Sequence, residues 1–150
     1  MHLNNLRKNL FIILVRLKWK RLDSILKIVL LIYAVVCLVY GLGYLIVPDS
    51  LVELSGGAPV FHGWLRWSGG VIIALGIGAI LTYLNPKGQG IFVTTIAIGT
   101  LLAGLAMIWT WINIEEGANV WFTAVPTIVL LALSGLLWWS RQAAKNTLYP

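Results

Sequence analysis

The sequence predicts an all-α membrane protein, a bundle of four transmembrane helices, and three observations carry that expectation. The first is composition. The 150 residues are 59% hydrophobic and only 11% charged, with mean hydropathy +0.89, whereas soluble domains carry about 25% charged residues. The second is length. Apolar stretches at residues 25–47, 64–84, 91–112 and 120–140 are each long enough to cross about 30 Å of hydrocarbon. The third is segregation of charge. Of the 11 basic residues, all but Arg66 fall before the first stretch or at its start, between the second and third, or after the fourth. Of the 5 acidic residues, all but Asp23 fall in the two opposite connections. Short positive segments stay in the cytoplasm, so both termini are expected inside, in a bacterial inner membrane.

Residues 1–22 read as a basic amphipathic helix. Leu3, Leu6, Leu10, Ile13, Leu14 and Leu17 recur at three- and four-residue spacing, with Arg7, Lys8, Arg16, Lys18, Lys20 and Arg21 among the remainder. Such a helix is expected to lie in the membrane interface with its cations near anionic headgroups; packing on a partner subunit is the alternative. The apolar stretch from Leu10 to Val15 is too short and too interrupted by charge for a cleavable signal peptide.

The bundle itself is assigned to residues 23–142. Asp23 or Ser24 is the expected N-cap of the first span, Lys27 is within snorkelling reach of headgroups, and Pro48 ends the helix. Ser50 and Glu53 have the spacing of a capping box and Gly56-Gly57 follows, so a short interfacial helix is expected there, with Asp49 and Glu53 as capping residues. Asn85-Pro86-Lys87-Gly88 has the chemistry of a tight turn. Asn113 to Asn119 forms the other outer connection, Pro126 is expected to bend the fourth span, and residues 143–150 form a cytoplasmic tail. The 8 tryptophans agree with this order: Trp64, Trp67, Trp109, Trp111 and Trp121 map to the outer interface, and Trp19, Trp138 and Trp139 to the inner one.

Small residues are expected to pack the bundle. Gly70, Ala74 and Gly78 follow one another at four-residue steps, Gly99 and Ala103 repeat the spacing, and such stripes let helices approach closely in lipid. Arg66 lies one such step before Gly70, which predicts that it points into the bundle. A charge there is costly and usually paired. Its expected partners are Asp49, Glu53, Glu115 and Glu116, with His62 and Trp67 nearby, so these residues form a candidate polar or anion site at the outer mouth. A structural ion pair and snorkelling to headgroups are the plainer readings. Thr94, Thr95, Thr100, Ser68 and Thr82 are expected to bond back to their own helices. No histidine, cysteine or carboxylate grouping has metal-ligand spacing, no catalytic motif is evident, and nucleic acid is not an expected partner. The lone Cys37 excludes an intramolecular disulfide.

The segment Gly41-Leu42-Gly43-Tyr44-Leu45-Ile46-Val47-Pro48, followed by Leu65-Arg66-Trp67-Ser68-Gly69-Gly70 with Gly76 and Gly78, resembles the DoxX-like superfamily of small four-helix membrane proteins. The likeness covers about residues 25–140 and leaves the basic extension outside it. It implies a four-helix fold and matches Arg66 to the arginine that begins the family's second helix. Some members are linked to sulfur-compound oxidation with quinone; others do disulfide chemistry, whose cysteine pair this chain lacks. The leading expectation is a non-catalytic accessory or assembly subunit of a larger membrane complex. A redox component binding a quinone or other lipophile near Arg66 is the second. A minimal transporter or channel is the third and least expected, because the spans lack polar residues at mid-depth.

Overall fold

The structure, a computed structural model, describes the backbone of residues 2–57, 63–114 and 116–149, and the side chains of these from residue 24 onward. All regular structure among them is helical: α1 His2–Ile46, α2 Pro48–Leu54, α3 Gly63–Leu84, α4 Gly90–Ile112, α5 Trp121–Ala143 and α6 Lys145–Leu148. Four helical segments are long and apolar enough to cross a membrane, Ser24–Ile46, Gly63–Leu84, Gly90–Ile112 and Trp121–Ala143. They differ from the spans expected from sequence by at most three residues at any end. This is the fold class of an all-α membrane protein.

The expected cap at Asp23 or Ser24 is absent. Residues 2–46 form one unbroken helix of 45 residues, about 67 Å long at 1.5 Å per residue, not a surface helix joined to a separate span. No glycine or proline precedes Gly41 within it, and a polar pair alone does not stop a helix. The side chains of Arg7, Lys8, Arg16, Lys18, Lys20 and Arg21, and hence any amphipathic face, lie outside the described residues. Lys27 does not simply reach for headgroups. Its ammonium lies 5.5 Å from the centre of the Tyr83 ring of α3, close enough for cation–π attraction.

Pro48 does end the first span, but it also begins α2, with Val47 at the N-cap and no side-chain cap bond. Proline suits the first helical position because that amide has no intrahelical partner. Ser50 is therefore inside the helix and the expected capping box is not formed, while Asp49 occupies the first turn, where a carboxylate favours the helix dipole. The positive φ expected of the turn glycines is present at Gly56 (74°) and Gly88 (75°), and also at Gly117 (88°). Gly56 touches Gly117, and the Asn119 amide donates to the Ser55 carbonyl at 2.7 Å. The two connections at the acidic end are thus joined.

Packing organises the spans as two antiparallel pairs, α1 with α3 and α4 with α5, joined through α1 and α5; α3 and α4 scarcely touch beyond their shared turn. Between α1 and α3 the approach is backbone to backbone. A Cβ added at Gly69 would sit 2.7 Å from the Gly41 carbonyl oxygen, and one at Gly76 would sit 3.0 Å from the Cys37 Cβ. The two glycine segments that carry the family resemblance therefore pack on each other. The contiguous core is formed by Leu26, Leu30 and Ala34 of α1, Ala79 of α3, Val93 and Ile96 of α4, and Leu133 and Leu137 of α5, among others. It lies in the half of the bundle nearest the turn at residues 85–89. Ala144 and Leu148 complete it from below, with Leu148 only 1% exposed. Among the described residues of the expected tail, 143–149, α6 packs against the core and closes that end.

Candidate functional site

At the acidic end the described residues of the expected site are not brought together around Arg66. On α3 the buried positions are Leu65, Gly69, Gly76, Ala79 and Thr82, which places Arg66 about 100° round the helix from Leu65. Arg66, Gly70 and Ala74 are all exposed, and a Cβ at Gly70 would meet nothing within 4 Å. Arg66 has no hydrogen-bond or ion-pair partner among the described residues. Asp49 and Glu53 are exposed on α2, Glu116 is exposed in its loop, and Trp67 is 73% exposed. His62 and Glu115 lie outside the described residues.

The same displacement holds on α4. Gly99 and Ala103 are exposed, while the neighbouring Gly104 is buried against Leu131, which a Cβ there would meet at 2.8 Å. Gly78 alone of the predicted stripes packs closely, against Phe92. The reason for the error is physical. In a span that is apolar on every side, hydropathy does not distinguish the packed face from the lipid face, and two small-residue rows one position apart read equally well. What selects between them is the backbone approach of a partner helix, here Gly41 to Gly69.

The organised polar cluster is at the opposite, basic end. Arg141, in the last turn of α5, donates from Nε to Thr94 Oγ1 at 2.6 Å and from Nη2 to the Tyr149 hydroxyl at 3.0 Å. Its guanidinium carbon lies 5.1 Å from the Trp138 ring centre and 5.5 Å from that of Tyr149. Thr94 Oγ1 and the Tyr149 hydroxyl are 3.1 Å apart, and Thr94 donates to the Gly90 carbonyl at 2.6 Å. Tyr149 also lies directly over Gly90, where any side chain would strike its ring. The hydrogen bond with Thr94 holds the Tyr149 hydroxyl below its ordinary value of 10.0, aided by Arg141 and Lys145 and opposed by desolvation. Arg141 is thereby the hinge pin between α4, α5 and the C-terminal segment. Sequence reading had assigned it only to the positive inner side. The signals that mark it are an arginine in the last turn of one span, a threonine near the start of the preceding span, and the Leu148-Tyr149 pair in the C-terminal segment.

The five hydroxyl residues expected to bond back to their helices all do so. Thr82, Thr94, Thr95, Thr100 and Ser68 donate to the Gly78, Gly90, Ile91, Ile96 and Trp64 carbonyls at 2.6–3.0 Å. Polar groups do, however, occur at mid-depth. Tyr33 is buried, with Cys37 one turn on along α1, and Thr100 of α4 is buried as well. Nearby, Ser134 Oγ donates to the Ala97 carbonyl at 3.1 Å, tying α5 to α4. The Thr100 and Ser134 hydroxyls are satisfied by the Ile96 and Ala97 carbonyls, as buried polar atoms must be in hydrocarbon. They form a structural seam and correct the expectation of an apolar mid-plane. Among the described residues no three His, Cys, Asp or Glu side chains are grouped to hold a metal.

Between α4 and α5 an open groove of about 640 Å³ is lined by Ala97, Leu101, Leu131, Ser134, Gly135 and Trp138, with Gln142 at its basic end. Its volume lies in the range of small-molecule sites, and its walls are mainly apolar.

The fold and these features define a four-helix membrane protein with a closed basic end and a side groove. No protein-family model, curated protein or solved structure matches the chain.

Proposed function

We propose that this protein is a non-catalytic accessory or assembly subunit that docks against another membrane protein through its lipid-facing small-residue rows. One observation supports this most: Gly70 and Ala74 on α3 and Gly99 and Ala103 on α4 face outward, with open space where a Cβ at Gly70 or Gly99 would lie. Helices associate in lipid through close contact at such rows, and these rows are not consumed by the protein's own packing. The continuous basic first half of α1 adds a second surface for a partner or for anionic headgroups. On this reading the basic end faces the cytoplasm of a bacterial inner membrane. Reporter fusions after Lys145 and within residues 85–90 are then cytoplasmic, and fusions near Gly56 or Gly117 are external. The DoxX-like resemblance is compatible with this role and remains part of the proposal.

A quinone- or lipophile-binding role is the second reading, favoured by the groove beside Trp138 and no longer by Arg66. The experiment is purification in mild detergent with mass spectrometry of proteins and small molecules. The accessory role requires a stoichiometric membrane-protein partner that Gly70→Leu or Gly99→Leu displaces without lowering the protein's own stability. A retained quinone with no protein partner would overturn it in favour of the second reading.

A further inference from the structure

We propose that the groove between α4 and α5 is a site for one anionic phospholipid of the leaflet at the basic end, with Arg141 as its headgroup anchor. The α5 residues that line the groove run from Leu131 to Gln142 on one stripe, about 16 Å along the helix axis. That is close to half of the roughly 30 Å hydrocarbon thickness, the depth one acyl chain occupies. The groove is apolar along this length, and Ser134, its hydroxyl on the wall, already donates to Ala97. The wall therefore offers a chain no unmet polar demand.

Charge then decides the headgroup. Trp138 belongs both to the groove wall and to the cation–π contact of Arg141, and Gln142, next to Arg141 in sequence, lines the groove, so the guanidinium does not itself line the groove but is stacked on its wall near its basic end. Nε and Nη2 are held by Thr94 and Tyr149, which orients the planar group and leaves Nη1 with no acceptor among the described residues. Neutral hydroxyls do not neutralise the guanidinium, and no described carboxylate lies within ion-pair distance of it. Of the 5 acidic residues only Asp23 is at this end of the sequence pattern. A phosphodiester oxygen accepting from Nη1 supplies the missing anion, and charge-assisted bonds of this kind are the strong ones. Lys145, close enough to Tyr149 to affect its hydroxyl, and the Gln142 amide flank the same position. A neutral quinone would use the groove without using Arg141.

The test is thermal unfolding of the purified full chain in a nonionic detergent, titrated with phosphatidylglycerol or with phosphatidylcholine of the same acyl chains. Phosphatidylglycerol should stabilise the wild type at a concentration about tenfold lower, the ratio expected of one charge-assisted contact. Arg141→Gln should remove most of that tenfold difference, leaving only what the unchanged basic residues of the N-terminal half contribute, and an undiminished difference would overturn the proposal. Because that variant also loses the contacts to Thr94 and Tyr149, Gly135→Leu provides the independent arm. A Cβ at Gly135 meets nothing within 4 Å, so leucine there fills the groove while leaving the packing intact, and it should weaken the response to both lipids. The basic residues of the N-terminal half are unchanged in both variants. Equal responses of the wild type to the two lipids, or a wild-type phosphatidylglycerol response in Gly135→Leu, would overturn the proposal. So would inorganic phosphate reproducing the phosphatidylglycerol shift, since the groove would then play no part.

Discussion

Arg66 and Arg141 mark the two ends of this bundle, and the contrast between them is the contrast between the two halves of the molecule. Arg66 stands on the exposed face of α3 with no described partner. Arg141 is gripped by two hydroxyls and two aromatic rings drawn from α4, α5 and the C-terminal segment. The contiguous apolar core follows the second arginine: its members from α1, α3, α4 and α5 run from mid-depth to the basic end, and Ala144 and Leu148 seal it. At the acidic end Leu65 and Ala124 are buried outside that cluster, and the connections meet chiefly through glycine backbone. A charged side chain at a membrane boundary is thus not organised by its own position on a helix but by what the neighbouring segments bring to it.

The comparison is broken most forcefully at Leu148. It is a fully buried side chain in a four-residue helix, and truncating a buried leucine costs about 2–5 kcal/mol. Leu148→Ala should therefore lower the unfolding temperature in detergent more than any substitution in the acidic-end loops. A wild-type temperature would mean that α6 does not close the basic end. The next effect is smaller and concerns which row of α3 is packed. Gly69→Ala drives a methyl onto the Gly41 carbonyl at 2.7 Å, and overpacking of this kind costs about 1–3 kcal/mol. Gly70→Ala, one residue away and facing open space, should be neutral or slightly stabilising. Thermal unfolding of that pair reads the orientation of α3 directly, and the reverse order would turn Arg66 back into the bundle.

A third effect is smaller still and depends on pH. The Tyr149 hydroxyl is held more acidic in the folded protein than its ordinary value of 10.0. For a group whose folded value is depressed, the linked stability is absent at neutral pH, where the hydroxyl is protonated in both states. It appears as pH rises past the folded value toward 10.0. The difference in unfolding temperature between wild type and Tyr149→Phe should therefore widen between neutral pH and about 10. A gap that narrows over that range would show that Arg141 and Thr94 do not favour the tyrosinate.

The span assignments were legible because length and hydropathy are local properties of the chain. So were the helix-bonded hydroxyls, such as Thr100 to Ile96, and the turn glycines Gly56 and Gly88, whose chemistry is settled within a few residues. What could not be read was which side of each span faces protein. Gly69 and Gly70 are chemically identical neighbours, and only the placement of Gly41, more than twenty residues earlier, separates them. The same limit hid the role of Arg141. Its partners Thr94 and Tyr149 are 47 residues before it and 8 residues after it, and nothing in the spacing announces that the three converge. The expected cap at Asp23 failed for the opposite reason: a local signal was present, but the helix on both sides of it was strong enough to run through.

The most direct measurement sets the two arginines side by side in one assay, the unfolding temperature of Arg141→Gln and Arg66→Gln in the same detergent. Hydrogen bonds to a charged group contribute about 1.5–3 kcal/mol, whereas exposed substitutions away from such features stay within about 0.5 kcal/mol. The account predicts a clear loss of stability for Arg141→Gln and none for Arg66→Gln. Destabilisation by Arg66→Gln together with wild-type behaviour of Arg141→Gln would contradict it.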